Sequence, residues 1–208
     1  VGYYQKHVVP RLVNIACGSR TITSWRVNVC EGLFGDVLEI GFGTGHNVPY
    51  YPSEVNRVFA VEPSDLSWRL ATARIAASPV AIERSGLDGQ RLSLGANSCD
   101  CALVTFTFCT VPDPSLVVAE IWRVLKPGGQ LHFLEHGLAP DAGTARWQQI
   151  LDPLEVRVAD GCHLTREPLS IVNDGGFRMT WTQQRYARGP KPWSYFSAGR
   201  ATKTLPAS

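Results

Sequence analysis

Short apolar runs alternate with stretches of helical spacing along most of the chain, and the alternation predicts strands and helices in turn. Val8, Leu12, Ile15 and Ala16 recur at helical spacing over 3–17, where Pro10 bends or interrupts the helix, and a second short helix runs from Ser24 to Cys30. Asp36 to Ile40 is the first strand. His46 to Tyr51 then opens a helix that Pro49 and Pro52 keep short. Arg57 to Glu62 is the second strand, and Ser64 caps a helix from Asp65 to about Ala77 with Leu66, Leu70, Ala73 and Ala77 on one face. Val80 to Arg84 follows as the third strand. Cys101 to Phe108, continuous and rich in β-branched residues, suits a buried parallel fourth. Asp113-Pro114 fits an N-cap followed by proline at the first helical position, and Lys126-Pro127-Gly128-Gly129 stops that helix. Gln130 to Leu134 is the fifth strand, ending at Glu135-His136. Thr165 to Asn173 is a last helix capped by Thr165, and Phe177 to Arg185 pairs with Trp193 to Thr202 as a closing hairpin. Strands alternating with helices before a hairpin predict an α/β fold, a doubly wound sheet with one reversed strand. Residues 1–35 form a helical cap on a domain of residues 36–208, with no linker long enough to separate them.

Chemistry first appears at Leu38-Glu39-Ile40-Gly41-Phe42-Gly43-Thr44-Gly45. An acid ends an apolar run, and three glycines follow at two-residue spacing, where positive φ and close backbone approach to a ligand are available. A second acid, Glu62, ends the next apolar run about twenty residues on, where a ribose-binding carboxylate is expected. The dinucleotide fingerprint is G-x-G-x-x-G, which cradles a pyrophosphate. Here the spacing is G-x-G-x-G, and a carboxylate at Glu39 would repel a pyrophosphate but pair with an ammonium. That combination points to a nucleoside carrying an amino acid, S-adenosylmethionine, with NAD and an oxidoreductase as the alternative.

Composition narrows the classes further. With 208 residues, 44% of them hydrophobic, the chain is long enough to bury one substantial core. A net charge of +2 and scattered basic residues give no nucleic-acid footprint. No apolar run reaches the roughly 18 residues of a membrane span, and the expected location is the cytoplasm, with peripheral membrane contact left open. Cys17, Cys30, Cys99, Cys101, Cys109 and Cys162 show no C-x-x-C pairing, so no metal is expected and reduced core thiols are the default; a cluster of reactive cysteines is the alternative.

Glu120-Ile121-Trp122-Arg123-Val124-Leu125-Lys126-Pro127-Gly128-Gly129 resembles the R-x-L-K-P-G-G signature of the class I S-adenosylmethionine-dependent methyltransferases. The resemblance implies a Rossmann-like sheet of order 3-2-1-4-5-7-6 with strand seven antiparallel. It implies that Glu39, Gly41, Gly43 and Gly45 border the aminoacyl part of the cofactor and that Glu62 holds the ribose. Leu87-Asp88-Gly89-Gln90-Arg91-Leu92 is similar to the family's turn after strand three, which puts Asp88 and Gly89 at the adenine, although Leu87 and Gln90 depart from its glycine and acid. Glu135-His136, Trp147-Gln148-Gln149-Ile150-Leu151-Asp152-Pro153 and Asp160-Gly161-Cys162-His163-Leu164-Thr165-Arg166-Glu167 resemble a branch that includes the mammalian microsomal thiol methyltransferases. Those relatives carry an apolar anchor at the amino end, where this chain reads Val1-Gly2-Tyr3-Tyr4-Gln5-Lys6-His7.

A sulfonium methyl is already electrophilic, so the enzyme must mainly align it and exclude water. A thiol or phenol acceptor must also lose a proton. His136, Asp160 and His163 are the candidates for that work; in the plainer reading His136 bonds a neighbouring loop, Asp160 serves a turn and His163 lies on the surface. Arg166 pairs with a local carboxylate or points at substrate. Cys109, read as ending strand four, is a core thiol or a nucleophile. Phe106, Phe108, Trp147, Trp193 and Tyr195 are core by default, and some of them line an apolar pocket in the alternative. The acceptor expected is a small, mainly apolar molecule, either a thiol or else a phenol, quinone or heterocycle. A module that binds the cofactor without catalysis is the reading from another class.

Overall fold

A computed structural model of the chain describes residues 7–204. The predicted helix positions at Tyr3 to Lys6, and the side chains of Leu12 and Ala16, lie outside what is described. Helices α1 (Val9–Cys17) and α2 (Arg20–Cys30) precede strand β1 (Gly35–Ile40). Then come a 3-10 turn at Val48–Tyr50, β2 (Val55–Val61), α3 (Asp65–Ala76), β3 (Ala81–Gly86), β4 (Cys99–Thr105), α4 (Pro114–Val124) and β5 (Leu125–His136). The chain continues through α5 (Ala142–Val158), α6 (Pro168–Asp174), β6 (Phe177–Tyr186), the one-turn α7 (Lys191–Ser194) and β7 (Tyr195–Lys203). The seven strands form one sheet in the order β3-β2-β1-β4-β5-β7-β6, in which β7 runs antiparallel to both neighbours.

Both faces of this sheet are covered, as the continuous apolar strands require. Leu38, Ile40, Ala102, Val104, Leu131 and Phe133 face one side and pack with Val117, Ile121 and Val124 of α4. Val37, Val58, Cys101 and Leu103 face the other and pack with Ile22, Trp25, Val29 and Cys30 of α2. The helix read from Ser24 is therefore longer than predicted and supplies part of the core. Ile15 of α1 is instead 72% exposed.

Helix ends behave as their sequences dictate. Ser64 accepts a hydrogen bond from the Ser67 amide at 3.1 Å, and Asp113 from the Ser115 amide at 2.8 Å, ahead of Pro114. Asp113→Ala should lower stability by about 1 kcal/mol, read by chemical denaturation. Two predicted caps and ends move. Thr165 does not cap the last helix: Glu167 stands at the N-cap, and Thr165 donates to Asp152 instead. Strand β4 stops at Thr105, because Phe106 turns into the left-handed region at φ 52°. Cys109 thus lies in the loop beyond the strand. The helix expected from His46 is only the 3-10 turn.

Strand β5 starts earlier than predicted. It pairs Leu125 with Cys99, then skips register to Gln130 opposite Cys101, so Lys126-Pro127-Gly128-Gly129 is an irregularity in the strand edge rather than a loop before it. Helix α5 carries no sequence prediction at all. Pro153 sits inside it, and its apolar residues Trp147, Ile150, Leu154 and Val158 face solvent. Trp147 at 59% and Trp193 at 40% exposure are therefore surface residues, not core. Among the described residues no helix is long and apolar enough to cross a membrane.

Candidate active site

Strands β2 and β4 flank β1 on opposite sides, so the chain direction across the sheet reverses at β1 and opens a crevice beyond the carboxyl ends of the strands. The loops after β1, β2, β3 and β4 all converge there. Gly41, Gly43 and Gly45 take φ of 73°, 58° and 77°, the left-handed conformations that the glycine spacing calls for. A Cβ on Gly41 would lie 1.8 Å from Oγ1 of Thr107, so the β1 and β4 loops interlock at that point.

Glu62 ends β2 nearly buried. Its carboxylate accepts from the Gly43 amide and from the Ser64 amide, each at 2.7 Å. Burial raises its pKa, against those two hydrogen bonds and Arg84. A carboxylate oriented by the glycine loop itself, with lone pairs remaining, fits the vicinal hydroxyls of a ribose. Gly89 is buried after β3, where a Cβ would come within 2.6 Å of Ile40, whereas Asp88 is exposed and accepts from the Gln90 amide at 2.9 Å.

Glu39 departs from the direct ammonium contact that its place in the motif suggested. It is fully buried, and its oxygens accept from Asn47 Nδ2 at 2.9 Å and from the Tyr51 hydroxyl. Asn47 also bonds Arg26 of α2 and Thr105 of β4, so Glu39 acts on the glycine loop from beneath. Asn14 of α1 holds the same loop through Thr44 at 2.8 Å and His46 at 3.0 Å. Burial pushes the Glu39 carboxyl from its ordinary 4.5 up to about 7, in spite of Tyr51 and Asn47. Between those values the folded chain holds a proton that the unfolded chain has released, so stability falls as pH rises through the window, by a few kcal/mol at most. Denaturation curves of Glu39→Gln should lack this fall between about pH 5 and 7.

On the acceptor side, the three predicted acid–base residues separate. Asp160 is exposed in a left-handed turn at φ 52°. His163 pairs through Nδ1 with Asp152 at 2.9 Å, and its amide bonds the Cys109 carbonyl. His136 ends β5 with Nε2 3.0 Å from Cys162 Sγ, and Cys109 is part of the same cluster. A hydrogen bond from Cys162 holds the Cys109 thiol well below its ordinary pKa against burial. Burial opposes protonation of His136, yet the Cys109 sulfur beside it carries its pKa above the ordinary value. Cys109 and Cys162 were not among the predicted site residues. Their separation in sequence hid the pairing; the signals that point toward it are the alternative of Cys109 as a nucleophile and that of a reactive cysteine cluster.

Two further residues shape this region. Glu135, fully buried, accepts from the Thr107 and Phe108 amides at 2.7 and 3.0 Å and so sets the β4 loop. Among the described residues Arg166 pairs with no carboxylate. Its guanidinium donates to the carbonyls of Phe108 and Val111, fastening the loop after β4 to the segment before α6. Phe108 is buried core, Phe106 and Tyr195 pack near the same edge, and a groove of about 550 Å³ bordered by Leu138, Ala139, Leu169 and Tyr195 begins two residues beyond His136.

A family model for a methyltransferase domain matches residues 38–133. Thiol S-methyltransferase TMT1B of Mus musculus is 33% identical over 175 residues, 81% of this chain and 70% of that protein. The Rattus norvegicus protein of the same name is 33% identical over 167 residues, 78% of this chain, which spans 66% of the relative's length. Among solved structures, a SAM-dependent methyltransferase from Thermotoga maritima superimposes with a TM-score of 0.68 at 23% identity, over 95% of this chain and 99% of the other. The sheet order, the glycine loop with Glu62 and these likenesses agree: the chain belongs to the class I S-adenosylmethionine-dependent methyltransferases, with S-adenosylmethionine as the methyl donor.

Proposed function

We propose that this chain methylates the sulfur of a small, mainly apolar thiol. The observation that carries the reading is the likeness to proteins named thiol S-methyltransferase over 78–81% of the chain, extending through the cysteine–histidine cluster beyond the methyltransferase-domain match. When bound, S-adenosylmethionine supplies an electrophilic methyl group. Glu62 and the backbone of Gly41, Gly43 and Gly45 hold it, with Asp88 and Gly89 at the adenine end. Asn14, through Thr44 and His46, ties α1 to the loop. Glu39 sets the loop's shape through Asn47.

His136 is the residue that acts at the acceptor sulfur; Asp160 and His163 are left to shape the loop around Cys162. A thiol suits this arrangement, because its pKa of about 8.5 leaves little deprotonation to assist, whereas a phenol near 10 needs more. The groove beyond His136 offers apolar surface for the rest of such a molecule. A screen with radiolabelled methyl donor over thiols, phenols, quinones and amines tests the reading. Labelling of thiols is expected. Labelling confined to phenols or quinones would overturn it, and no labelling with intact cofactor binding would favour a binding module.

A further inference from the structure

Cys109, His136 and Cys162 come from three different segments: the loop after β4, the end of β5 and the loop before α6. Their ligand atoms all lie within 4.8 Å of one another. Each segment is pinned independently of the cluster. Arg166 ties the β4 loop to the α6 side through the Phe108 and Val111 carbonyls, and the His163 amide binds the Cys109 carbonyl at 2.8 Å. Asp152 receives the amides of Leu164 and Thr165 at 2.6 and 3.2 Å, which fixes the chain just past Cys162. The three donors are therefore held together by surrounding structure, as a ligand set must be if binding is not to pay for ordering it.

We propose that Cys109, His136 and Cys162 form a zinc site whose fourth position takes the acceptor's thiolate. The identity of that fourth ligand rests on the thiol reading above; the metal site itself does not. Tetrahedral zinc with sulfur at about 2.3 Å and nitrogen at about 2.0 Å sets its ligand atoms about 3.5–3.8 Å apart. The observed cluster brackets this, with His136 and Cys162 needing to open slightly from 3.0 Å. Two thiolates balance the charge of the ion, and the soft sulfur ligands favour zinc over magnesium or calcium. His136 presents Nε2 to the two sulfurs, the ring nitrogen that would bind the ion. Three protein ligands with an open position are the arrangement of catalytic rather than structural zinc. On coordination the acceptor's S–H bond breaks, its sulfur bonds zinc, and the proton leaves to solvent. The chain's own spacing concealed the site, since the ligands lie 27 and 26 residues apart in sequence.

The reduced 208-residue chain, stripped with a chelator, is titrated with Co2+, which is then displaced by Zn2+. One equivalent is expected, with sulfur-to-cobalt charge transfer and tetrahedral ligand-field absorption. Cys109→Ser, Cys162→Ser and His136→Ala should each weaken zinc by about 100-fold or more, while Cys99→Ser, at the opposite end of β4, leaves it unchanged. Calorimetry with S-adenosylmethionine verifies that each variant is folded. No stoichiometric binding, or binding indifferent to all three substitutions, overturns the site. Adding an acceptor thiol should shift the cobalt spectrum; an unshifted spectrum with full thiol turnover by metal-free protein overturns the coordination of the acceptor and leaves the thiol reading standing. A bound ion with no thiol methylated upholds the site and defeats that reading.

Discussion

Glu62→Ala should weaken S-adenosylmethionine binding by about two to three orders of magnitude while leaving the fold intact. In the proposed site the carboxylate accepts from the two ribose hydroxyls, and hydrogen bonds to a charged group contribute about 1.5–3 kcal/mol each. It also receives the Gly43 and Ser64 amides, so its removal loosens the loop that approaches the cofactor. Calorimetry with the donor and its demethylated product measures the loss. Acidification should act in the same direction, because burial raises the Glu62 pKa above the ordinary carboxylate value and the proton arrives earlier on descent. An affinity within threefold of the parent chain would remove Glu62 from the site.

Gly41→Ala should destabilise the whole domain by about 2–5 kcal/mol, whereas Gly43→Ala costs only about 1–2 kcal/mol. Both residues have positive φ, so both pay a backbone penalty. Only at Gly41 does a Cβ meet an obstacle, the Thr107 side chain at 1.8 Å. Thr107 cannot swing aside freely, because its hydroxyl bonds the Ile40 carbonyl at 3.2 Å and the Thr105 carbonyl at 3.1 Å. Around Gly43 the nearest atom is 3.8 Å away, which leaves that side open for a ligand. Gly43→Ala is therefore expected to stay folded yet bind the cofactor poorly. Chemical denaturation separates the two, and adding Thr107→Ala to Gly41→Ala should recover the steric part of the loss. Equal destabilisation at both glycines would defeat the interlock.

Where apolar period and capping chemistry agree, the sequence is a sufficient guide, because each signal is local. The β1 and β2 strands, the Ser64 and Asp113 caps and the closing hairpin depend on a few adjacent residues, and the structure has them close to the predicted positions. Helix α5 was illegible for the converse reason. Its apolar stripe faces solvent and a proline interrupts it, so nothing local separates it from a loop. The glycine run and Glu62 announced a nucleoside cofactor because both signals stand at strand ends, where the topology must bring them together.

The sequence by itself determined the doubly wound sheet and the cofactor class, since strand period, glycine conformation and the position of an acid after a strand are properties of short segments. Only the tertiary structure decided what the candidate residues touch. It buried Glu39 beneath the loop with Asn47 and Tyr51, turned Arg166 onto backbone carbonyls, and left Asp160 in an exposed turn. It also gathered Cys109, His136 and Cys162 from the ends of separate elements. Side-chain partners across such distances depend on how strands are ordered and where loops cross, and no spacing within one segment records that.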